Sequence, residues 1–114
     1  MGEESRNAWH LRRARLYAEQ ALRGLEAAGQ EWSDDPVHRA GLTHLVEVCA
    51  EHMGNLPRDI QARYPDVPWK PMADYRIIAA HAYYQADPRI VEDIIRQHLP
   101  RLLPQIEELL KAGV

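Results

Sequence analysis

The sequence predicts an all-α fold, a bundle of four main helices. Apolar residues recur at spacings of three and four along most of the chain, as expected for helices with one buried face. No segment alternates apolar and polar residues over a useful length, so no sheet is predicted. With 114 residues the chain has the size of one domain, and we expect residues 1–114 to form one.

The first helix is predicted from about Ser5 to Ala28. Its apolar residues form a single stripe on one helical face, which consists of Leu11, Ala14, Ala18, Ala21, Leu22, Leu25 and Ala28. Gly29 follows directly, and glycine at this place commonly ends a helix because it tolerates the left-handed conformation. We therefore expect one long amphipathic helix at the start of the chain.

The second helix is predicted to begin at Asp35 and Pro36. An aspartate is a favoured N-cap, and proline is favoured at the first helical position, where its missing N–H costs nothing. The predicted buried face consists of Val37, Ala40, Gly41, His44, Leu45, Val48, Cys49, His52 and Met53.

A short helical segment is predicted from Pro57 to about Tyr64. Residues 65–71 contain three prolines, which argues against a regular helix there. The third main helix is accordingly predicted over residues 73–84.

The last helix is predicted to begin at Asp87 and Pro88, which repeat the cap-plus-proline pattern. Two further prolines, Pro100 and Pro104, are expected to kink or break it. Its apolar residues are Val91, Ile94, Ile95, Leu102, Ile106 and Leu109.

The composition indicates a globular protein without a general nucleic-acid-coating role. Hydrophobic residues make up 46% and charged residues 27% of the chain, and the net charge is −3. A negative net charge argues against a basic coat protein but allows a local basic groove. Arg12, Arg13 and Arg15 form one basic patch, for which a solvated face is favoured over an RNA contact.

Neither a disulfide nor a membrane span is predicted. Cys49 is the only cysteine, which excludes an intrachain disulfide. The first six residues have no apolar core, and the apolar runs fall short of the ~18 residues that a span needs. We expect a cytoplasmic protein.

A metal site is not predicted, although the chain has six histidines. Neither Glu-x-x-His nor His-Glu-x-x-His occurs, so the common helical metal motifs are missing from the sequence. His44, Glu47 and Glu51 lie along one helical face, for which a polar surface is favoured over a metal cluster. We predict no metal and no cofactor.

The segment from Asp74 to Tyr83 concentrates residues that are able to do chemistry. At about 100° per residue, Arg76 and Tyr83 fall on the same helical face, two turns apart. His81 points about 140° away from Arg76 and lies over Asp74 instead. One straight helix cannot aim Arg76 and His81 at the same atom unaided. Either their long side chains meet at the lip of a groove, or two copies of the helix face each other.

Three ordered blocks of sequence resemble the HepT-like toxins of the HEPN superfamily. They match that family's Gly-Glu-Ala, Leu-Pro and Tyr-Pro run, its Ile-Pro-Trp, and its Arg-x4-His-x-Tyr. The blocks are Ala50-Glu51-His52 with Leu56-Pro57 and Tyr64-Pro65, then Val67-Pro68-Trp69, then Arg76-x4-His81-x-Tyr83, with Leu99-Pro100-x-Leu102 after them. The resemblance covers roughly residues 9–110 and implies a HEPN-like bundle of four to five helices.

The resemblance also implies an activity, a ribonuclease that cuts RNA without a metal in a cleft between two protomers. In this chain Arg76 would hold the scissile phosphate, because its fork binds two phosphate oxygens at once. His81 would move the proton, because its pKa lies near working pH. Asp74 and Glu51 are expected to support these two residues.

The partners that the resemblance implies are a second copy of the chain, an RNA substrate and a minimal nucleotidyltransferase antitoxin. Tyr83 matches the residue that the antitoxin modifies with AMP. A bulky anion at Tyr83 would block the cleft and repel RNA.

Two positions depart from the family pattern. Ile77 follows the arginine where the family usually has a polar residue, and Ala50 replaces the first glycine of Gly-Glu-Ala. A second interpretation therefore stays open, a catalytically silent helical dimer that only binds a nucleotidyltransferase. A third is a four-helix scaffold in which Arg76 and His81 make surface hydrogen bonds.

Overall fold

The computed structural model describes residues 5–81 and 87–114, with side chains given for all of these except residues 78–81. The chain is helical almost throughout these two ranges and contains no strand in them, which confirms the all-α prediction. The helices are α1 (Arg6–Ala28), α2 (Pro36–Gly54), α3 (Arg58–Arg63), α4 (Trp69–His81), α5 (Pro88–Asp93) and α6 (Leu99–Ala112), with a 3-10 turn (Trp32–Asp34) and a π-helical turn (Ile94–His98).

Helix α1 has the predicted boundaries. The Ser5 hydroxyl caps it by accepting a hydrogen bond from the Ala8 N–H at 3.0 Å. Gly29 ends it with φ of 81°, a conformation that a side chain would strain. The buried face is the predicted one, with Leu11, Ala14, Ala18, Ala21 and Leu25 almost fully buried.

Helix α2 begins as predicted, but its buried face matches the prediction only at Cys49 and Met53. The Asp35 carboxylate accepts the Val37 N–H at 2.8 Å, and Pro36 occupies the first turn. Val37 itself is 77% exposed. The residues that are buried are Leu42, Thr43, Val46, Cys49, Ala50 and Met53. The buried face is rotated from the predicted one because α2 packs against both α1 and α4, whereas a single stripe suits a helix with one neighbour.

Small residues allow α1 and α2 to approach closely. Ala14, Ala18 and Ala21 are fully buried along the contact face of α1. A methyl group added to Gly24 would lie 2.9 Å from the Leu42 Cδ2 atom, closer than packed carbon atoms tolerate. This pair of helices forms the largest helix–helix contact among the described elements.

Helix α4 begins at Trp69, four residues before the predicted start. The three prolines do not prevent this, because Pro71 lies in the first turn, where backbone N–H groups have no acceptor within the helix. The Trp69 indole N–H donates to the Tyr64 carbonyl at 2.9 Å, and its ring packs against the core. This contact joins α4 to the end of α3.

The last helical stretch runs from Pro88 to Ala112 without a break, so the expected interruption takes a different form. The Leu99 N–H bonds to the Ile94 carbonyl, five residues back, which makes a π-helical turn directly before Pro100. Because proline has no N–H to donate, a wider turn here accommodates it while the chain stays helical. All six predicted apolar residues of this stretch are buried, namely Val91, Ile94, Ile95, Leu102, Ile106 and Leu109.

The buried apolar residues form one cluster shared by the helices. Cys49 lies fully buried within it, and burial raises the pKa of its thiol to about 12. Cys49 is therefore a packing residue and not a nucleophile at neutral pH. No helix in the described ranges is both long and apolar enough to cross a membrane.

Replacing Trp69 by alanine is expected to lower the free energy of unfolding by about 3 kcal/mol, at the low end of the range for aromatic truncation because the ring is only half-buried. Trp69→Phe keeps most of the packing and loses the hydrogen bond to Tyr64, so it should cost about 1 kcal/mol. Urea unfolding followed by circular dichroism measures both. Equal stability of the alanine variant and the parent would contradict a structural role for Trp69.

Candidate active site

Helix α4 presents Arg76 to solvent. Met72 is only 8% exposed and Tyr75 is half-buried, so both face the core, whereas the next residues along the helix, Arg76 and Ile77, are exposed. The register is set at the first turn, where Trp69 is held. The predicted phosphate-binding residue thus lies at the edge of the buried face of α4, where an incoming group can reach it.

The two predicted supporting carboxylates have different surroundings. Asp74 is exposed and forms an ion pair with Lys70 at 3.1 Å, one turn earlier on α4. Glu51 is exposed on α2, and its backbone carbonyl accepts a hydrogen bond from the Asn55 side chain at 2.9 Å. No hydrogen bond or ion pair joins either carboxylate to Arg76 within the described part of the chain. Their roles in support of catalysis stay predictions.

His81 is the last described residue of α4, with a described backbone but no described side chain, and Tyr83 lies outside the described residues. Five residues separate His81 from Arg76, which corresponds to about 7.5 Å along the helix axis. The structure therefore confirms that Arg76 and His81 share one helix. The catalytic pairing of the two and the modification of Tyr83 stay predictions.

An apolar cleft lies behind α4, between α2 and the π-helical turn. Its lining includes Met72, Tyr75, Ala50 and His98. The ring centroids of Tyr75 and His98 are 5.9 Å apart, and His98 Nε2 lies 3.7 Å from a carboxylate oxygen of Asp93. Burial and then the Asp93 charge raise the pKa of the Tyr75 hydroxyl, so it stays protonated. Sequence reasoning missed this cleft, because its residues come from elements distant in sequence.

A cluster of aromatic and histidine side chains joins α1 to the C-terminal end of α2. Nδ1 of His10 and Nδ1 of His52 are 3.0 Å apart, within hydrogen-bond distance. Tyr17 stacks on His52 with ring centroids 5.8 Å apart, and Trp9 meets both histidines edge-on. Sequence reasoning placed His52 on the buried face of α2 and within a motif but did not identify the cluster, although Trp9, Arg13 and Tyr17 follow one another at helical spacing.

The histidine pair resists protonation. Burial, with the Arg6 charge second, lowers the pKa of His10. Burial, then His10 and Arg13, lower the pKa of His52 against an opposing effect of Glu51. The Nδ1–Nδ1 hydrogen bond needs one nitrogen without a proton, so the pair carries at most one positive charge while the bond persists.

A metal-binding cluster is not apparent in the described ranges, where no three His, Cys, Asp or Glu side chains come together closely enough to hold an ion. His44 is exposed on α2 and belongs to no such group.

Comparison with known proteins assigns the chain to a family. The family model for ribonuclease HepT-like proteins matches residues 12–109, which include α2, α4 and the exposed Arg76. The chain belongs to the ribonuclease HepT-like family. The predicted HEPN-like bundle is therefore confirmed, and so is the broad prediction of a ribonuclease.

Individual relatives of this HepT-like chain have matching names. A protein of Methanocaldococcus jannaschii whose name proposes an RNase is 35% identical over 81 residues, 71% of this chain and 67% of that protein. A protein of Thermococcus cleftensis named "Probable ribonuclease HepT" is 32% identical over 86 residues, 75% of this chain and 78% of that protein. No solved structure matches this chain significantly.

The lowered pKa values of the histidine pair predict how stability depends on pH. Because the folded-state values lie below the ordinary value of about 6.5, the unfolded chain binds more protons in acid. The contribution of the pair is therefore fully present above about pH 6.5 and is lost as the pH falls below it. Urea unfolding between pH 7.5 and 5.5 should show this slope.

A His52→Gln variant should have a flatter dependence over that pH range, whatever its absolute stability. His44→Gln, on the exposed face of the same helix, is the matched control and should keep the parental slope. Identical slopes for the parent and His52→Gln would show that the pair does not titrate as described.

Proposed function

We propose that this HepT-like protein is a metal-independent endoribonuclease toxin whose site is built around Arg76 and His81 in a cleft between two copies. The exposure of Arg76 on α4, inside the region that matches the ribonuclease family, is the observation that supports this most directly. The names of the relatives, which describe RNases, agree with an RNA substrate. We take residues 1–114 as one domain that acts in the cytoplasm.

The chemistry assigned to the two residues needs no further protein group. The ribose 2′-oxygen attacks the phosphorus, and the bond from phosphorus to the 5′-oxygen breaks, which leaves a 2′,3′-cyclic phosphate and a 5′-hydroxyl. His81 takes the proton from the 2′-hydroxyl or gives one to the leaving 5′-oxygen, and water carries out the other transfer, since a histidine exchanges protons near neutral pH. Arg76 donates two hydrogen bonds to the phosphate oxygens and stabilises the charge that builds up there.

A second copy of the chain would bring the two residues together. On one helix Arg76 and His81 point about 140° apart, so Arg76 of one protomer is proposed to act with His81 of the other. The solvent-facing side of α4 carries Ala73 and the 53% exposed Ile77 beside Arg76. Such small and apolar residues suit a close helix–helix contact, and burial in the dimer would remove Ile77 from water.

The proposed partner that silences the enzyme is a minimal nucleotidyltransferase antitoxin that adds AMP to Tyr83. Tyr83 follows Arg76 by seven residues, a spacing that in a helix predicts the same face two turns on. A phosphodiester at Tyr83 would place negative charge and bulk where the RNA phosphate is proposed to bind.

Ile77 favours one alternative, a catalytically silent dimer that serves only as a binding partner of a nucleotidyltransferase. The family usually has a polar residue at this position, next to the arginine. An exposed isoleucine cannot orient a catalytic group by hydrogen bonding.

Purified protein is expected to cut RNA in the presence of EDTA. Arg76→Ala and His81→Ala should each lower the rate about 100-fold or more, because each removes a group that acts in the transition state. Cleavage of labelled RNA on gels measures the rates, and circular dichroism checks the fold. Arg58→Ala, which removes an exposed cation on α3, is the control and should keep its activity.

If the parental protein does not cut RNA, a second variant is tested. Ile77→Asn restores the polar residue that is usual in the family, so activity of this variant with an inactive parent would identify a decayed ribonuclease. If neither protein cuts RNA nor slows growth when expressed alone, the ribonuclease proposal is wrong and the silent binding partner replaces it.

The dimer is expected to depend on α4. Ile77→Glu would bury a charge in the proposed contact, so it should shift the protein from dimer to monomer at micromolar concentration. Val37→Glu is the control, since Val37 is even more exposed but lies at the start of α2. Sedimentation velocity distinguishes the species, and a monomeric parent protein would contradict the proposed cleft.

A further inference from the structure

The N-terminal half of α1 has an exposed aromatic ring in a positively charged surface. Trp9 is 42% exposed although its indole is one of the largest apolar groups in the chain. The guanidinium carbon of Arg13 lies 5.2 Å from the centre of the Trp9 ring. The His10–His52 pair supports the ring edge-on, with ring centroids 5.0 and 5.3 Å from Trp9. We call Arg6, Trp9, Arg13 and the two histidines the α1 platform.

The charged side chains in residues 5–18, the part of α1 around the platform, are all positive. Residues 5–18 contain four arginines and no acidic residue, in a chain of net charge −3. Arg15 is neutralised by its ion pair with Glu107 of α6, whereas Arg6 and Arg13 are exposed. Among the described residues, Glu51 is the acidic group whose charge acts on His52. This surface is therefore complementary to a polyanion.

Helix stability does not explain the arginines in the N-terminal half of α1. The N-terminus of a helix carries partial positive charge and favours acidic residues, but the first turn of α1 has none and begins with Arg6. Arg13 likewise adds to the field that lowers the pKa of His52. Positive charge in this place is unfavourable in the free protein and becomes favourable when an anion binds.

We propose that the α1 platform binds single-stranded RNA, with one base stacked on the Trp9–Arg13 pair and Arg6 in contact with the backbone. The Arg13 guanidinium lies over the exposed Trp9 indole, and this stacked cation–π pair offers a flat, positively charged surface to a base and to a phosphate. The histidines hold the ring in place, so little freedom is lost when a base stacks. This proposal rests on the proposed function, because it assigns the platform to the substrate of the same enzyme.

The platform belongs to α1 and the end of α2, whereas the proposed cleavage site belongs to α4. His52 is next to Met53, which lines a surface depression together with Trp69 at the start of α4. His81 ends the same 13-residue helix, about 18 Å along its axis. RNA bound at the platform therefore extends beyond the cut phosphate. Such a contact is made equally before and during the reaction, so it lowers KM and leaves kcat unchanged.

The test compares Arg13→Gln with Arg23→Gln in cleavage of a single-stranded RNA of about 20 nucleotides. Both arginines are exposed on α1, but Arg23 lies outside the platform. Arg13→Gln should raise KM about 5-fold or more with kcat within 2-fold, as expected when a stacked base loses its support. Arg23→Gln should keep the parental KM. Equal KM values for the two variants would overturn the platform.

Tryptophan fluorescence distinguishes stacking of a base at Trp9 from charge attraction alone. Fluorescein-labelled RNA is bound to the His81→Ala variant, and tryptophan fluorescence is followed with and without an added Trp9→Phe change. RNA should quench the fluorescence of Trp9 strongly, and Trp9→Phe should abolish the quenching while anisotropy still reports binding. Quenching that persists without Trp9 would contradict stacking at this ring.

The same measurements keep the platform apart from the proposed function. Parental protein that binds RNA through Trp9 but does not cut it would refute the ribonuclease and leave the platform intact. If the parental protein cuts RNA and Arg13→Gln has the parental KM, the ribonuclease proposal stands and the platform is refuted. If Arg13→Gln instead breaks the dimer in sedimentation or loses nucleotidyltransferase binding, the surface is a protein contact and the RNA proposal is wrong.

Discussion

The arrangement of the candidate site depends on how the first turn of α4 is held. The Trp69 ring packs on the core, and its indole N–H donates to the Tyr64 carbonyl at 2.9 Å. Once this turn is fixed, the helical repeat of about 100° per residue decides which side chains face inwards and which face out. Tyr75 is directed to the core and Arg76 to solvent as a result. The Trp69–Tyr64 contact takes no part in the proposed reaction, but it determines which residues of α4 are exposed to a substrate.

The same periodicity explains why the proposed enzyme needs a second copy. Arg76 and His81 are five residues apart, so a single helix separates their directions, and no small adjustment of one side chain removes that separation. A bundle of this size also has little interior left for a private pocket, because its apolar residues already fill one core. A cleft between two copies would bring Arg76 and His81 together and would provide the walls of a binding site. The platform on α1 would then extend the substrate-binding surface outwards along each protomer.

Most of the fold could be predicted from local chemistry. The cap at Asp35 and the stop at Gly29 depend only on neighbouring residues, and both predictions were correct. The buried face of α2 was predicted only in part, with Cys49 and Met53 correct and the exposed Val37 wrong, because two helices pack on α2. The start of α4 was misplaced because proline was treated as a barrier to helix, although Pro71 lies in the first turn.

The proposed cleavage site and the α1 platform differ in how well they could be predicted from the sequence. Arg76 and His81 were predicted because they match an ordered family pattern on one predicted helix, and the exposed position of Arg76 is consistent with the proposed role. The pairing of His10 with His52 joins residues 42 positions apart, so only the packing of α1 on α2 reveals it. The exposed ring of Trp9 belongs to the same contact, and sequence periodicity alone marks it only as a residue outside the buried stripe.

The central claim is that Arg76 of one protomer and His81 of the other form one metal-independent cleavage site. Mixing equal amounts of Arg76→Ala and His81→Ala proteins under conditions that exchange protomers tests it most directly. Each mixed dimer would contain one site with both residues intact, so the mixture should recover RNA cleavage in EDTA to about a quarter of the parental rate, since half the dimers are mixed and each has one of two sites. A mixture that exchanges protomers and stays as inactive as either variant alone would contradict the shared site.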